Sequence, residues 1–467
     1  TCCRDLLPTK PLPQEATLQM KKSIRHQATN ILNTVSQSQA FASDLLDTCL
    51  AKEDLSETAD GRLLTRLVYG VLRMQAHLDW ILAGLYHGNY SNADVRVKNI
   101  LRLGLYQLRF SDRLPAFAVV DEAVKTAKRM APPAAGLINA VLRTYLLNPD
   151  KIRFPSGVEK LPQYIASFYS HPEWLVKHWL HHYTKDQTIT ICRQNNEPPA
   201  LTLRVNTLKI STAELMAKLK TAGFDCMPTI FSPDGIVLND WPLPVQKTVF
   251  FQEGLCRLQD EASQLASYLA WPASGSSVLD VCAGSGGKTT HLACLMNGRG
   301  CITALDRDPG KVKELEKEAA RLGITNIETD VADLNHPLPD GMQGKFDCVF
   351  VDAPCSGTGT LGRHPEIKWR LKREDLPALA ATQKNVLRHA AAAVRRGGLL
   401  VYCTCSVLPQ ENDEVVQNFL ASFPDFAMEQ PAASVLSSFS DKNGIFRTYP
   451  QRHGMDGFFG VPLRRGI

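Results

Sequence analysis

Leu279-Asp280-Val281-Cys282-Ala283-Gly284-Ser285-Gly286-Gly287-Lys288-Thr289-Thr290 is a short apolar run that breaks into a glycine-rich turn and then opens a helical pattern. Glycines let the backbone approach a ligand closely, and the free amides of the following helix favour an anionic group such as a carboxylate. A phosphate-binding P-loop needs a glycine where Cys282 stands, so that reading fails at a decisive position. A dinucleotide turn and an S-adenosylmethionine turn both remain open.

Downstream, strand-like and helical patterns alternate. Strands are expected over Ser277 to Cys282, Cys301 to Asp306, Asn326 to Thr329, Phe346 to Asp352 and Leu399 to Cys405. Helices are expected over Lys288 to Met296, Lys311 to Leu322 and Glu374 to Val394. This alternation predicts an α/β, Rossmann-like, doubly wound parallel sheet, whose ligands bind at the carboxyl ends of the strands. Asp306 ends the second strand, where a carboxylate can accept both ribose hydroxyls of an adenosine, in nicotinamide and methyl-transfer enzymes alike. Asp333, after the third strand, is placed to accept from an adenine amino group or to serve as a loop or cap residue.

The fourth strand ends Val351-Asp352-Ala353-Pro354-Cys355-Ser356-Gly357 and the fifth Tyr402-Cys403-Thr404-Cys405-Ser406. Two cysteines at neighbouring strand tips, one beside a carboxylate, suit chemistry on an electron-poor ring. Cytosine C5 is a weak nucleophile; a thiolate adding at C6, with a carboxylic acid bonded to N3, converts the ring into an enamine that C5 can use to attack a sulfonium methyl. A nicotinamide oxidoreductase would leave both cysteines without a role. Cys403 should face away from Thr404 and is read as structural.

The 467 residues, 44% hydrophobic and 21% charged, are enough for two or three domains. No apolar run reaches the roughly 20 residues of a membrane span, and no signal peptide opens the chain, so a cytoplasmic location is expected. Thirteen cysteines without paired Cys-x-x-Cys spacing point to reduced thiols and no metal; Cys294, Cys301 and Cys348 read as small buried hydrophobes. Net charge is +5, and the basic excess lies between Met20 and Lys160. Helical periodicity runs there, through Leu63, Leu64, Leu67, Val68, Val71 and Leu72. Its arginines (Arg62, Arg66, Arg73, Arg96, Arg102, Arg109, Arg113, Arg143) are either a phosphate-facing surface or solvated helix faces.

Four segments follow: 1–19, an extension without fixed fold; 20–155, all-helical; 156–262, a small α+β subdomain; and 263–467, the catalytic sheet. In the third, a helix is expected over Leu175 to Tyr183, a strand over Ala200 to Val205, a helix over Thr212 to Ala222, and strands over Gly235 to Leu238 and Val249 to Phe251.

Asp352-Ala353-Pro354-Cys355-Ser356-Gly357-Thr358-Gly359 and Thr404-Cys405-Ser406-Val407 with Glu411-Asn412 resemble the two signature blocks of the RNA 5-methylcytosine methyltransferases. The resemblance implies S-adenosylmethionine as cofactor, Cys405 as nucleophile, Cys355 as the thiol that assists breakdown of the adduct, and Asp352 as the acid. It also implies cofactor contacts from Cys282, Ala283, Gly284, Ser285, Gly286, Gly287, Lys288, Asp306, Asp333 and Asp352. The family's turn usually reads Cys-Ala-Ala-Pro-Gly-Gly-Lys, so Gly284 and Ser285 depart from it. Lys288 is similar to a family lysine beside the catalytic acid, though a surface lysine would read the same.

Asp79-Trp80-Ile81-Leu82, Leu105-Tyr106-Gln107-Leu108 and Gly136-Leu137-Ile138-Asn139-Ala140-Val141-Leu142-Arg143 resemble the NusB-like RNA-binding domain of one branch, the bacterial 16S rRNA cytosine-5 methyltransferase B family. Asn195-Asn196-Glu197-Pro198-Pro199, Arg204-Val205-Asn206, Gln259-Asp260-Glu261-Ala262-Ser263, Lys368-Trp369 and Asp456-Gly457-Phe458-Phe459 also match. By the same resemblance Arg363 and His364 lie on a loop near RNA, with loop packing as the alternative. A monomer acting on 16S rRNA, away from membranes, is therefore expected. A relative acting on tRNA or 23S rRNA, or a non-catalytic RNA-binding protein on a relic fold, stays open.

Overall fold

The computed structural model describes residues 23–111, 114–240 and 244–467; the extension expected over 1–19, and Arg113, lie outside them. Among the described residues, seven α-helices fill the first part: Ile24–Gln37, Ala42–Lys52, Ala59–Arg73, Gln75–Leu85, Val95–Phe110, Ala116–Met130 and Ala135–Leu147. Leu64, Leu67, Val68, Val71 and Leu72 fall on one face of their helix and are buried, each worth roughly 1.5–3 kcal/mol when removed from water. The arginines divide by environment. Arg102 is internal, its guanidinium paired with Asp79 at 2.7 Å, so it belongs to no phosphate-facing surface, whereas Arg109 donates to His77 at 2.9 Å and stays exposed.

Three helices follow, Leu161–Phe168, Glu173–His182 and Lys185–Asn196, the last opened by a capping box between Thr184 and Gln187. Then comes a four-stranded antiparallel sheet in the order β2-β3-β1-β4, made of β1 (Leu201–Val205), β2 (Asp225–Pro228), β3 (Gly235–Asp240) and β4 (Cys256–Leu258). The strand expected over Val249 to Phe251 is a short helix, Val249–Gln252. Thr248 accepts from the Phe251 amide, and this cap outweighs the β preference of Val-Phe-Phe.

The last part contains β5 (Ser277–Asp280), β6 (Cys301–Asp306), β7 (Ile327–Val331), β8 (Phe346–Asp352), β9 (Val394–Thr404), β10 (Phe426–Met428), β11 (Phe446–Arg447) and β12 (Phe459–Arg465). The sheet runs β10-β12-β9-β8-β5-β6-β7, with β11 beside β12. The five strands from β9 to β7 are parallel, as the alternation predicts. The flank is not: β12 pairs antiparallel with β9, and β10 antiparallel with β12. The sheet is therefore mixed. Pro462 hides this strand in the sequence, since proline has no amide to donate; here its carbonyl accepts from Glu429 instead. Alternate residues feed opposite faces, Val278, Cys348, Phe350 and Val401 on one and Leu279, Val349, Val351, Leu400 and Tyr402 on the other. Cys294 and Cys348 are buried as expected, whereas Cys301 is half-buried.

The segment from Arg363 to Arg370 fastens the sheet to the helices. Lys368, buried with 2% exposure, donates to the Arg73 and Ser170 carbonyls and to Asn196 Oδ1, while Trp369 donates to the Leu72 carbonyl. Among the described residues no helix is long and apolar enough to cross a membrane.

Candidate active site

β8 and β9 are parallel neighbours with Asp352 opposite Cys403, so the segments leaving their carboxyl ends emerge side by side. The Ala353 amide donates to the Cys403 carbonyl at 2.9 Å, and the Gly359 amide to the Cys405 carbonyl at 2.9 Å. Gly359 is confined to glycine by this approach, because an added Cβ would lie 1.9 Å from the Gly457 carbonyl oxygen. The result is a hydrogen-bonded thiol pair, Cys355 Sγ to Cys405 Sγ, 3.3 Å apart.

Glu411 ties the two cysteine turns together from beneath. Its carboxylate is buried and accepts from the Ser356 amide at 2.7 Å, from the Ser356 and Ser406 hydroxyls at 2.5 Å each, and from Gln383 at 3.0 Å. Asn412 continues the brace, accepting from Thr404 Oγ1 and donating to the Ser406 carbonyl. The motif contained Glu411 and Asn412; only the folded chain gives them this work.

Asp352 sits beside the pair, held from two sides. Lys288 Nζ donates to Oδ2 at 2.5 Å, and the Cys403 thiol lies 3.6 Å from Oδ1. Burial pulls the Lys288 ammonium down, but the adjoining carboxylate outweighs it and Lys288 ends above its ordinary value. Cys403, read as structural, is buried as expected yet touches Asp352. Cys355 is pushed well up, first by its bond with Cys405 and then by burial, so it remains a protonated donor facing the other sulfur.

A cleft of about 280 Å³ joins these groups to the glycine-rich turn; it is lined by Cys282, Gly284, Asp306, Asp333, Asp352, Cys355 and Cys405. Asp306 Oδ2 accepts from the Gly284 amide at 2.8 Å and Oδ1 from the Asp308 amide at 2.9 Å, which fixes the carboxylate at the end of β6. Gly284 has φ +54°, and a Cβ there would meet nothing within 4 Å, so the turn leaves open space on that side. Not all of the turn faces the cleft. Ala283 packs on Ala304 and Leu315. Ser285 accepts from Arg257 through its carbonyl and its hydroxyl, Gly286 turns the chain at φ +82°, and Gly287 gives its carbonyl to Arg204. Arg307 and Lys311 line the same cleft, and their surface-type sequence context gave no sign of it.

Arg204 and Arg257 show how the antiparallel sheet supports the turn. Arg204, 1% exposed on β1, also donates to Gln259 and Thr290. On the opposite side of Cys405 a second cavity of about 350 Å³ is lined by Arg257, Asp260, Gly287, Thr360, Arg363, Asp456 and Phe458. Arg363 spends its guanidinium on Asp260 at 2.5 Å and Asp456 at 2.9 Å, and His364 packs edge-on against Phe41, so loop packing accounts for both. Cys405 is the residue that lines both cavities. Among the described residues every cysteine is a free thiol, and no cluster of three or more His, Cys, Asp or Glu could hold a metal ion.

The family described as 16S rRNA methyltransferase RsmB/F matches residues 267–464, the NusB family residues 22–146, and the ferredoxin-like domain of RsmF/B-like methyltransferases residues 171–246. Over 95% of this chain and 99% of the relative, the sequence is 36% identical to a probable ribosomal RNA small subunit methyltransferase B of Bacillus subtilis. It is 32% identical to ribosomal RNA small subunit methyltransferase B of Escherichia coli over 92% of this chain and 98% of that one. The solved structure of PH0851 superposes with a TM-score of 0.81 at 26% identity, covering 96% of this chain and 100% of that one.

Proposed function

This chain belongs to the 16S rRNA methyltransferase RsmB/F family, and from that premise we propose that it methylates C5 of one cytosine in 16S rRNA with S-adenosylmethionine, through a covalent bond between Cys405 and C6. The observation that carries the reading is the Cys355–Cys405 thiol pair, 3.3 Å apart, at the junction of two cavities, one of them edged by Asp306 and Asp333.

The cleft fits the cofactor by its own chemistry. Gly284 leaves room where a side chain would stand, the Asp306 carboxylate is held at the strand end with lone pairs to spare for ribose hydroxyls, and Asp333 is exposed at the rim for an amino group. When bound, S-adenosylmethionine supplies an electrophilic methyl on its sulfonium.

The target base enters from the Arg257–Arg363 side, extruded from its stack because C6 and C5 must both be reachable. Cys405 gives its proton to the Asp352 carboxylate, which passes it to N3 as the sulfur bonds to C6, so the charge that would develop on N3 is neutralised. Lys288 and Cys403 orient that carboxyl. C5 then carries the electron pair and acquires the methyl. The C5 proton leaves to solvent water as the one proton the overall reaction releases, the N3 proton returns to Asp352, and the S–C6 electron pair returns to the Cys405 sulfur as a thiolate, which the protonated Cys355 stabilises by a hydrogen bond. A thiol donating toward Cys405 lowers the cost of charge on that sulfur in both directions.

The test is nucleoside mass spectrometry of 16S rRNA incubated with the purified chain and S-adenosylmethionine. 5-Methylcytidine should form with the native chain and vanish with Cys405→Ala while RNA affinity persists. Undiminished 5-methylcytidine from Cys405→Ala would overturn the reading.

A further inference from the structure

Behind the turn that carries Cys405 lies a third cavity, of about 180 Å³, which the reaction above leaves unused. Its walls are Trp179 and Tyr183 from the helix Glu173–His182, Asn195 from the helix Lys185–Asn196, Tyr449, and Phe458. Ser406 and Val407, directly after the proposed nucleophile, form another side. Phe458 lines both this cavity and the one the target cytosine enters, so one ring separates the two spaces.

Asn195 is 3% exposed and lines this cavity. The neighbouring Asn196 contrasts: its amide donates to the Tyr169 carbonyl and accepts from Lys368. Asn195, unlike Asn196, lines the cavity.

We propose that this cavity receives a second unpaired base of the substrate RNA, a near neighbour of the target cytosine in the same strand, stacked on the aromatic walls with its polar edge read by Asn195. Three features favour a base. The cavity, at about 180 Å³, is smaller than the cofactor cleft of about 280 Å³, which suits one ring system rather than a whole cofactor. Aromatic walls with a donor–acceptor amide are how proteins hold splayed-out single-stranded bases. Arg452, exposed, lies over the Tyr449 ring at 5.0 Å with no ion pair among the described residues, and is free to meet a phosphate. The inference rests on the proposed RNA methylation and adds a specificity-determining site to it.

The test uses the full chain with S-adenosylmethionine and short 16S rRNA fragments carrying each of the four bases at the two positions on either side of the target. The expected result is that at one position a single base is favoured in kcat/KM on the order of ten-fold, the discrimination a two-bond amide contact supplies. Asn195→Ala should level that preference and lower kcat/KM on the favoured RNA while S-adenosylmethionine affinity is unchanged. Should Asn195→Ala fail to fold, 5-iodouridine at the same position, irradiated on the native chain, should crosslink to Trp179, Tyr183 or Tyr449. Equal rates for all bases at every position, preserved discrimination in Asn195→Ala, or crosslinks confined to other residues would overturn the proposal. Methylation persisting in those outcomes would leave the proposed reaction standing, whereas loss of all 5-methylcytidine from the native chain would remove the reaction itself.

Discussion

Replacing Asp352 by Asn separates what the acid does for the fold from what it does for the reaction. The Lys288–Asp352 pair closes at 2.5 Å with side chains 12% and 28% exposed. Breaking a fully buried pair costs about 3–5 kcal/mol and an exposed one about 0–1. Lys288 is nearly enclosed and Asp352 more than a quarter open, so the loss should be about 2 kcal/mol, softened because Asn keeps one accepting oxygen. That corresponds to a fall in Tm of roughly 4–8 °C for a domain of this size. Loss of a positioned acid costs turnover roughly 10²–10⁴-fold. Adding Lys288→Met to Asp352→Asn removes the uncompensated ammonium, and the double variant should regain most of the lost Tm while methyl incorporation stays low. Thermal unfolding and incorporation of labelled methyl groups into 16S rRNA read the two quantities separately. Recovery of turnover in the double variant, or a single variant retaining more than a tenth of native turnover, would refute the assignment of Asp352 as the acid.

Gly359→Ala should reduce turnover strongly with little change in S-adenosylmethionine affinity, because the added Cβ meets the Gly457 carbonyl and shifts the backbone that anchors Cys405; titration calorimetry alongside the rate assay checks both. Glu411→Gln should lower turnover and stability together, by roughly 1–3 kcal/mol in the latter, since one of its accepting oxygens becomes a donor facing the Ser356 and Ser406 hydroxyls; urea unfolding measures it. Burial lifts the Asp280 carboxyl to about 7, and its Oδ1 has no partner among the described residues. Between an unfolded value of about 3.9 and that folded value the native chain holds the extra proton, so this contribution to stability falls as pH rises from 4 to 7 and is gone above it. Asp280→Asn should flatten that slope in urea midpoints taken across the range.

The parallel half of the sheet was legible because Ser277, Cys301 and Phe346 open short apolar runs that alternate with long amphipathic helices, and the chemistry-bearing residues all fall at the ends of those runs. Asp352, Cys355 and Cys405 meet because β8 and β9 are neighbours, a fact of strand order that no single motif contains. The antiparallel flank escaped because Pro462 argues against a strand and its partner β9 lies far back in sequence. The helix at Val249–Gln252 reversed an expectation because one hydroxyl, Thr248, decides between two local conformations of similar energy. Arg204 and Arg257 looked like ordinary strand residues; only packing of the small sheet against the glycine-rich turn turns them into its supports. Arg363 looked like a phosphate contact until Asp260 and Asp456, distant in sequence, claimed it.

The most direct measurement is mass spectrometry of the Cys355→Ala chain after incubation with 16S rRNA and S-adenosylmethionine, digested to peptides and nucleotides under denaturing conditions. If the sulfur of Cys405 bonds to the ring and Cys355 assists its release, the peptide holding Cys405 carries a methylated cytidine nucleotide, and adding Cys405→Ala removes that adduct. Methylated RNA with no nucleotide on any cysteine peptide, or an adduct that survives Cys405→Ala, would contradict it.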